Sequence, residues 1–277
     1  FLEMEREHRS VILALRRAAR RAPAPAAEAS GARWSLFVTF EDGMEELVLA
    51  LARRLPPGAV RLKEPVTALE RRGAGWRVAT AAGTTVDADG VILATEAYQA
   101  ARLLRHADPA LGHLLEDIPY ASSATVTLAY RRDAIRHPLD GFGFVVPQVE
   151  RRPVIAGTFS SVKYPGRAPE GHVLLRVFVG GALNEAAAAA DDAALVAAAR
   201  GELAKLLGAA GEPLFTRVSR YVKAMPQYQV GHLARVEAIE AAARRLPALA
   251  LAGGAYRGVG IADCVHSGEE AAERLLG

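Results

Sequence analysis

Cysteine occurs once in the 277 residues, as Cys264, which excludes a disulfide within the chain and fits a reducing compartment. No CxxC, HExxH or histidine-rich spacing suggests a metal site, and no GxSxG frame marks a serine nucleophile. Neither sign of charge dominates: 34 basic and 31 acidic residues leave a net charge of +3. No basic run is interleaved with aromatics, so the slight basic excess names no nucleic-acid partner. The apolar runs are far short of a membrane span, and no stretch reads as a signal peptide. A GxGxxG dinucleotide turn is also missing. The nearest glycine cluster, Gly254, Gly258 and Gly260, has the wrong spacing. Because the chain starts at Phe1 and enters a helical pattern at once, it is expected to be a fragment.

What is present is a chain long enough for one large or two modest domains. Residues 1–22 have helical spacing and a basic far end, which could touch anionic lipid but reads better as a solvated terminus. Residues 23–33, with Pro23 and Pro25, form a linker. Trp34 to Phe40 alternates as a strand, and Gly43 opens a helix with Met44, Leu47, Leu51 and Leu55 on one face. Between residues 60 and 95, short apolar segments separated by glycine turns at 73–75 and 83 predict an antiparallel meander ending in Val91–Thr95. Further β-rich segments follow between Pro119 and Val179, then a helix capped by Asp191 and closed by Gly208, a strand at 217–221 and a helix at 235–246.

The last stretch, Leu249 to Gly277, runs strand, glycine turn, helix. Ile261, Val265, Gly268, Ala272 and Leu275 recur at helical spacing and predict one packed face. Asp263 falls in the first turn, where a carboxylate suits the positive helix end. Gly258 and Gly260 remove side chains where the backbone approaches something closely: a ligand, or simply a tight packing turn. His232 and His266 read as structural histidines, so no catalytic acid or base is nominated.

Residues 253–268, together with GFGFVVP (141–147), RAPEGHVLLRVFVGG (167–181) and AMPQYQVGHLARV (224–236), resemble the protoporphyrinogen and coproporphyrinogen oxidases of the FAD amine-oxidase superfamily. The similarity runs the length of the chain. It implies an α/β (α+β) fold: part of an FAD-binding flavoprotein domain, residues 33–105 and 246–277, interrupted by a mainly antiparallel substrate-binding sheet with helices, residues 106–245, after a helical segment and linker, residues 1–32. It further implies FAD as cofactor, a porphyrinogen and molecular oxygen as reactants, and a cytoplasmic, haem-biosynthetic oxidase that passes hydride to the flavin and releases hydrogen peroxide. Peripheral membrane contact and oligomeric state stay open.

By resemblance, the flavin contacts fall on Val66, Ala94, Thr95, Tyr221, Gly254, Val259, Gly260 and Ile261. Val66 would read the adenine edge through its backbone, and Tyr221 takes a position that the family usually fills with tryptophan. Gly254 replaces asparagine or alanine and Ala262 replaces proline, while Asp42 stands for a glycine beside the Gly43–Met44 turn. Phe142, Gly143 and Val145 match the block that lines a flat apolar slot for the macrocycle, with Phe178 as a further candidate. The sequence does not separate coproporphyrinogen III from protoporphyrinogen IX, though its alanine- and arginine-rich, GC-rich style leans to the former. An amine oxidase or desaturase-like flavoprotein, and a non-catalytic fragment, are the alternatives.

Overall fold

The computed structural model describes residues 6–10, 12, 13, 16, 17 and 38–277. By contact it divides into residues 1–43 and residues 44–277. In the first unit residues 6–8 are helical, and the Gly43 N–H bonds the Phe40 carbonyl at 3.1 Å. Most of the helix expected at 1–22, the 23–33 linker and residues 34–37 of the expected strand lie outside the described residues. Val38–Phe40, which are described, form no strand.

The second unit opens with α1 (Glu45–Ala52), whose apolar residues stay largely exposed. Next comes an antiparallel three-stranded sheet of β1 (Val66–Arg72), β2 (Gly75–Thr80) and β3 (Thr85–Ala88). The expected meander therefore stops one strand early. β4 (Val91–Leu93) instead pairs in parallel with β10 (Leu249–Leu251), Leu249 opposite Val91 and Leu251 opposite Leu93. Both segments are short apolar runs, the pattern of a strand covered on two sides. Trp76 of β2 is fully buried, and its indole N–H donates to the Pro247 carbonyl at 3.1 Å, which anchors the three-stranded sheet beside β10.

Helices α2 (Ala97–Leu104), α3 (Pro109–Glu116) and α6 (His232–Ala243) close this first core. Leu69, Trp76, Leu93, Leu104, Leu111, Leu115, Val236, Ile239 and Leu249 are all buried in it. Burial of each large side chain contributes about 1.5–3 kcal/mol. Helices within residues 106–245 thus pack with strands outside that range.

The second core lies under a five-stranded antiparallel sheet in the order β6 (Gly143–Val145), β7 (Ala156–Phe159), β8 (His172–Gly180), β5 (Tyr120–Arg131) and β9 (Phe215–Pro226). A single turn, α4 (Ser160–Lys163), follows β7. Alternation decides the faces. Ala124, Val126, Leu128 and Tyr130 of β5 and Val173, Leu175, Val177 and Val179 of β8 are buried against α5 (Asp192–Leu207) through Leu195, Ala199, Leu203 and Leu207. The expected cap of α5 is present: Asp191 accepts from the Ala194 N–H at 2.7 Å, and Gly208 at φ 62° closes the helix.

The chain ends in α7 (Ile261–Leu276). Its buried side matches the predicted one only in the second half, where Gly268, Ala272 and Leu275 are partly covered. Ala271 is buried with Ala250 and Ala252, and Cys264, Ser267 and Leu275 are partly covered, whereas Ile261 and Val265 are exposed. Small residues let the helix lie close to β10, so closeness of approach rather than side-chain hydrophobicity selects the face. Among the described residues no helix is long and apolar enough to cross a membrane.

Candidate functional site

The carboxyl ends of β4 and β10 open into a cleft of about 230 Å³, the position where parallel strands in α/β proteins present ligands. Ala94 and Thr95 follow β4 directly. Gly253, at φ 112°, turns the chain after β10 in a conformation that side chains rarely adopt. Ala94, Thr95 and Gly254, three of the residues expected at the flavin, line this cleft together, with Glu96, Tyr120, Ala224 and Pro226. The last four were not anticipated. Tyr120 and Pro226 are a cross-strand pair at the end of the five-stranded sheet, so the sheet end forms one wall. A bulge beyond Ala121 and Met225, where Lys223 has φ 46° and donates its N–H to Ser122 Oγ at 2.9 Å, turns Ala224 into the cleft.

Hydrogen bonds fix the turn. The Tyr228 hydroxyl donates to the Gly254 carbonyl at 2.8 Å, and the Gly253 N–H donates to Ser267 Oγ at 3.0 Å. Tyr228 stacks on His232 with ring centres 3.9 Å apart, and His232 Nε2 bonds the Tyr256 carbonyl at 2.8 Å. His232 is buried, with its Nδ1 left without a hydrogen-bond partner among the described residues. His266, by contrast, is exposed beside Glu270. At the other wall the Tyr120 hydroxyl accepts from the Ala97 N–H at 2.8 Å and so caps α2. Burial pushes the Tyr120 and Tyr228 hydroxyls up, which keeps both protonated.

The glycines around α7 divide by function. A Cβ on Gly258 would lie 2.4 Å from the Asp263 carboxyl carbon, and one on Gly260 would lie 2.9 Å from its Oδ2. What approaches those two glycines closely is Asp263, which accepts from the Gly260 N–H at 3.1 Å. A tight packing turn therefore explains them. Gly254 differs: a Cβ there would meet only ordinary contacts, the closest being Cys264 Sγ at 3.5 Å. Val259, Gly260 and Ile261 are exposed at the helix start, where the first amides have no partner within the helix. Val259, Gly260 and Ile261, Val66 at the start of β1, and Tyr221 are all absent from the cleft lining.

Tyr221 belongs instead to the uncovered face of the five-stranded sheet, opposite α5. Cross-strand pairing orders that face into rows. One row runs Val145, Ala156, Phe178, Thr125, Ser219. The next runs Gly143, Thr158, Arg176, Thr127, Arg217, and on the other side stand Gly180, Ser123 and Tyr221. Val145 and Phe178, nominated from separate blocks, thus share one row. Val145 also borders an apolar cavity of about 710 Å³ at the sheet end nearest the cleft, lined by Ile155, Gly181, Leu183 and Met225 among others. Gly143 has a different duty from the one expected. A Cβ on it would strike the Gly157 carbonyl oxygen at 2.1 Å, so it lets β6 pair with β7 rather than admitting a ring. Phe142 precedes β6 and is half exposed; its carbonyl accepts from the Phe159 N–H at 3.0 Å.

The residues at the cleft fit one edge of a flavin ring. Ala94, Gly253, Gly254 and Ala255 line it with small side chains or none, which suits the edge of a flat ring, and the exposed first turn of α7, outside that lining, carries N–H donors. Among the described residues no cluster of His, Cys, Asp or Glu could hold a metal ion.

The family model of flavin containing amine oxidoreductases matches residues 1–276. The coproporphyrinogen III oxidase of Bacillus subtilis (strain 168) is 31% identical over 277 residues, which covers all of this chain and 58% of that protein. The protoporphyrinogen oxidase of Bos taurus is 32% identical over 291 residues, 99% of this chain and 60% of that one. A crystal structure from Exiguobacterium sp. 255-15, provisionally assigned as a protoporphyrinogen oxidase, superposes with TM-score 0.83 at 30% identity, covering 100% of this chain and 58% of its own. The chain thus spans 58 to 60% of the length of these three proteins.

Proposed function

Since the chain belongs to the flavin containing amine oxidoreductase family, we propose that it forms part of an FAD-dependent oxidase that converts a porphyrinogen to the porphyrin in haem biosynthesis. Oxygen is the proposed final acceptor and hydrogen peroxide the by-product, in the cytoplasm. The names of the relatives support the substrate class. The observation that carries the reading on the structural side is that the Tyr120–Pro226 pair ends the five-stranded sheet and also walls the cleft. A ring held in the cleft and a flat substrate on the sheet would meet at that junction. In this reading residues 33–105 and 246–277 form the flavin side, residues 106–245 the substrate side, and residues 1–32 a helical lead-in.

A bound flavin supplies the hydride acceptor. The chain supplies placement. Ala94, Thr95 and Gly254 hold the ring edge through backbone groups, Val259, Gly260 and Ile261 cover it, Val66 serves the adenine end, and Tyr221 faces the substrate side. Asp263 keeps the Gly258–Gly260 backbone folded under α7. Val145 and Phe178, with Phe142 at the margin, give an apolar surface on which a macrocycle lies flat and sheds water. No side chain is assigned as acid or base, since shape and orientation are what hydride removal from a methylene bridge requires of the protein.

The test is a replacement. This chain is substituted for the matching 58% of the Bacillus subtilis enzyme, loaded with FAD, and given coproporphyrinogen III, protoporphyrinogen IX or putrescine in air. Porphyrin fluorescence together with peroxide is expected for a porphyrinogen and neither for putrescine. A folded, flavin-loaded chimera that oxidises the amine, or that leaves both porphyrinogens untouched, overturns the proposal.

A further inference from the structure

Arg176 on β8 and Arg217 on β9 stand on either side of Thr127 in one cross-strand row of the open sheet face. With one strand between them, their backbones are about 10 Å apart. Both side chains are exposed, and among the described residues neither has an ion-pair or hydrogen-bond partner. Arg220, on the covered side of the same strand, is by contrast paired with Asp192. The rows from Ser123 to Ala129 carry no carboxylate on the open face: their other members are Gly143, Ala156, Thr158, Leu174, Phe178, Gly180, Phe215, Ser219 and Tyr221, with Val145. Two unneutralised guanidinium groups therefore border an apolar row that includes Val145, Ala156 and Phe178. That is the pattern for a flat apolar body bearing anionic groups along one edge.

We infer that Arg176 and Arg217 bind two carboxylates on one edge of the porphyrinogen and so orient the macrocycle on the sheet. This rests on the proposed porphyrinogen reading and adds to it the positioning residues for the ring. Each guanidinium can meet a carboxylate through two parallel N–H donors, a geometry that lysine does not reproduce. The pair fixes the rotation of the ring in its own plane, which decides the methylene bridge that faces the cleft.

The test uses two stable probes delivered in the same detergent, coproporphyrin III and its uncharged tetramethyl ester, titrated into the chain by porphyrin fluorescence. Arg176→Gln and Arg217→Gln are each expected to weaken coproporphyrin binding about tenfold, and the double variant more than either, while the ester changes less than about twofold. Arg→Lys variants should recover part of the loss. Arg244→Gln, the same charge change at the residue that closes α6, is expected to have no effect. Coproporphyrin binding that survives both glutamine substitutions, or a loss that is equal for acid and ester, overturns the arginine assignment and leaves the porphyrinogen reading standing. Failure of the unsubstituted chain to bind either porphyrin overturns both.

Discussion

The Tyr228 hydroxyl donates to the carbonyl of Gly254 at 2.8 Å, tying the segment that follows the five-stranded sheet to the glycine turn that ends β10. The two residues are 26 positions apart, and their contact ties the segment after β9 to the cleft.

Tyr228→Phe removes that bond and leaves the stack on His232 in place. A loss of about 0.5–1.5 kcal/mol in unfolding stability is expected, the net worth of one such bond. Flavin affinity, read by fluorescence titration, should fall in the same variant, because the Gly254 carbonyl is no longer held. Unchanged stability and affinity would show that the turn is fixed without Tyr228.

Alanine at two glycines of the terminal turn should have different signatures. Gly258→Ala drives a methyl group into the Asp263 carboxylate, so chemical denaturation should show about 1–3 kcal/mol of destabilisation. Gly254→Ala meets only ordinary contacts, with Cys264, Gly258 and Val259, and should leave stability within about 0.5 kcal/mol. Equal stability losses at the two positions would contradict this division.

On the sheet, Gly143→Ala should disrupt β6 by collision with the Gly157 carbonyl. Val145→Ala, at a side chain 81% exposed, should leave stability unchanged and weaken porphyrin binding. Circular dichroism melts combined with porphyrin titration separate the two effects.

Glu202 gives a pH dependence. Its side chain is buried between Arg152, at 2.9 Å, and Lys205, at 3.3 Å. Burial alone would raise its carboxyl, but the hydrogen bonds from Arg152 and Lys205 outweigh that and hold it below the ordinary range. A carboxyl depressed in the folded state contributes stability that is complete above its unfolded pKa and is lost as pH falls through the folded one. Glu202→Gln should therefore cost about 1–3 kcal/mol at neutral pH, and the gap to the unsubstituted protein should shrink below about pH 4. A gap that stays constant down to pH 3 would rule out the linkage.

Much of this architecture was legible because it is written in local terms. Alternating apolar residues marked β5 and β8, Asp191 and Gly208 marked the ends of α5, and Gly253 marked the turn after β10. The resemblance of separate blocks located Ala94, Thr95 and Gly254, which do converge, and Val145 and Phe178, which share a row. Less legible were features that depend on which segment meets which. β4 reads like one more strand of a meander, and only its partner β10, more than 150 residues later, shows it to be parallel.

The sequence by itself determined where strands, turns and caps fall, because period-two alternation, glycine and helix-capping carboxylates act over a few residues. Tertiary structure alone decided what occupies the space beside each glycine, Asp263 for Gly258 and Gly157 for Gly143. It also decided that Arg176 and Arg217, 41 positions apart in the chain, stand in one row. The physical reason is that register is a property of strand pairs: side chains become neighbours through hydrogen-bonded ladders that no single segment specifies.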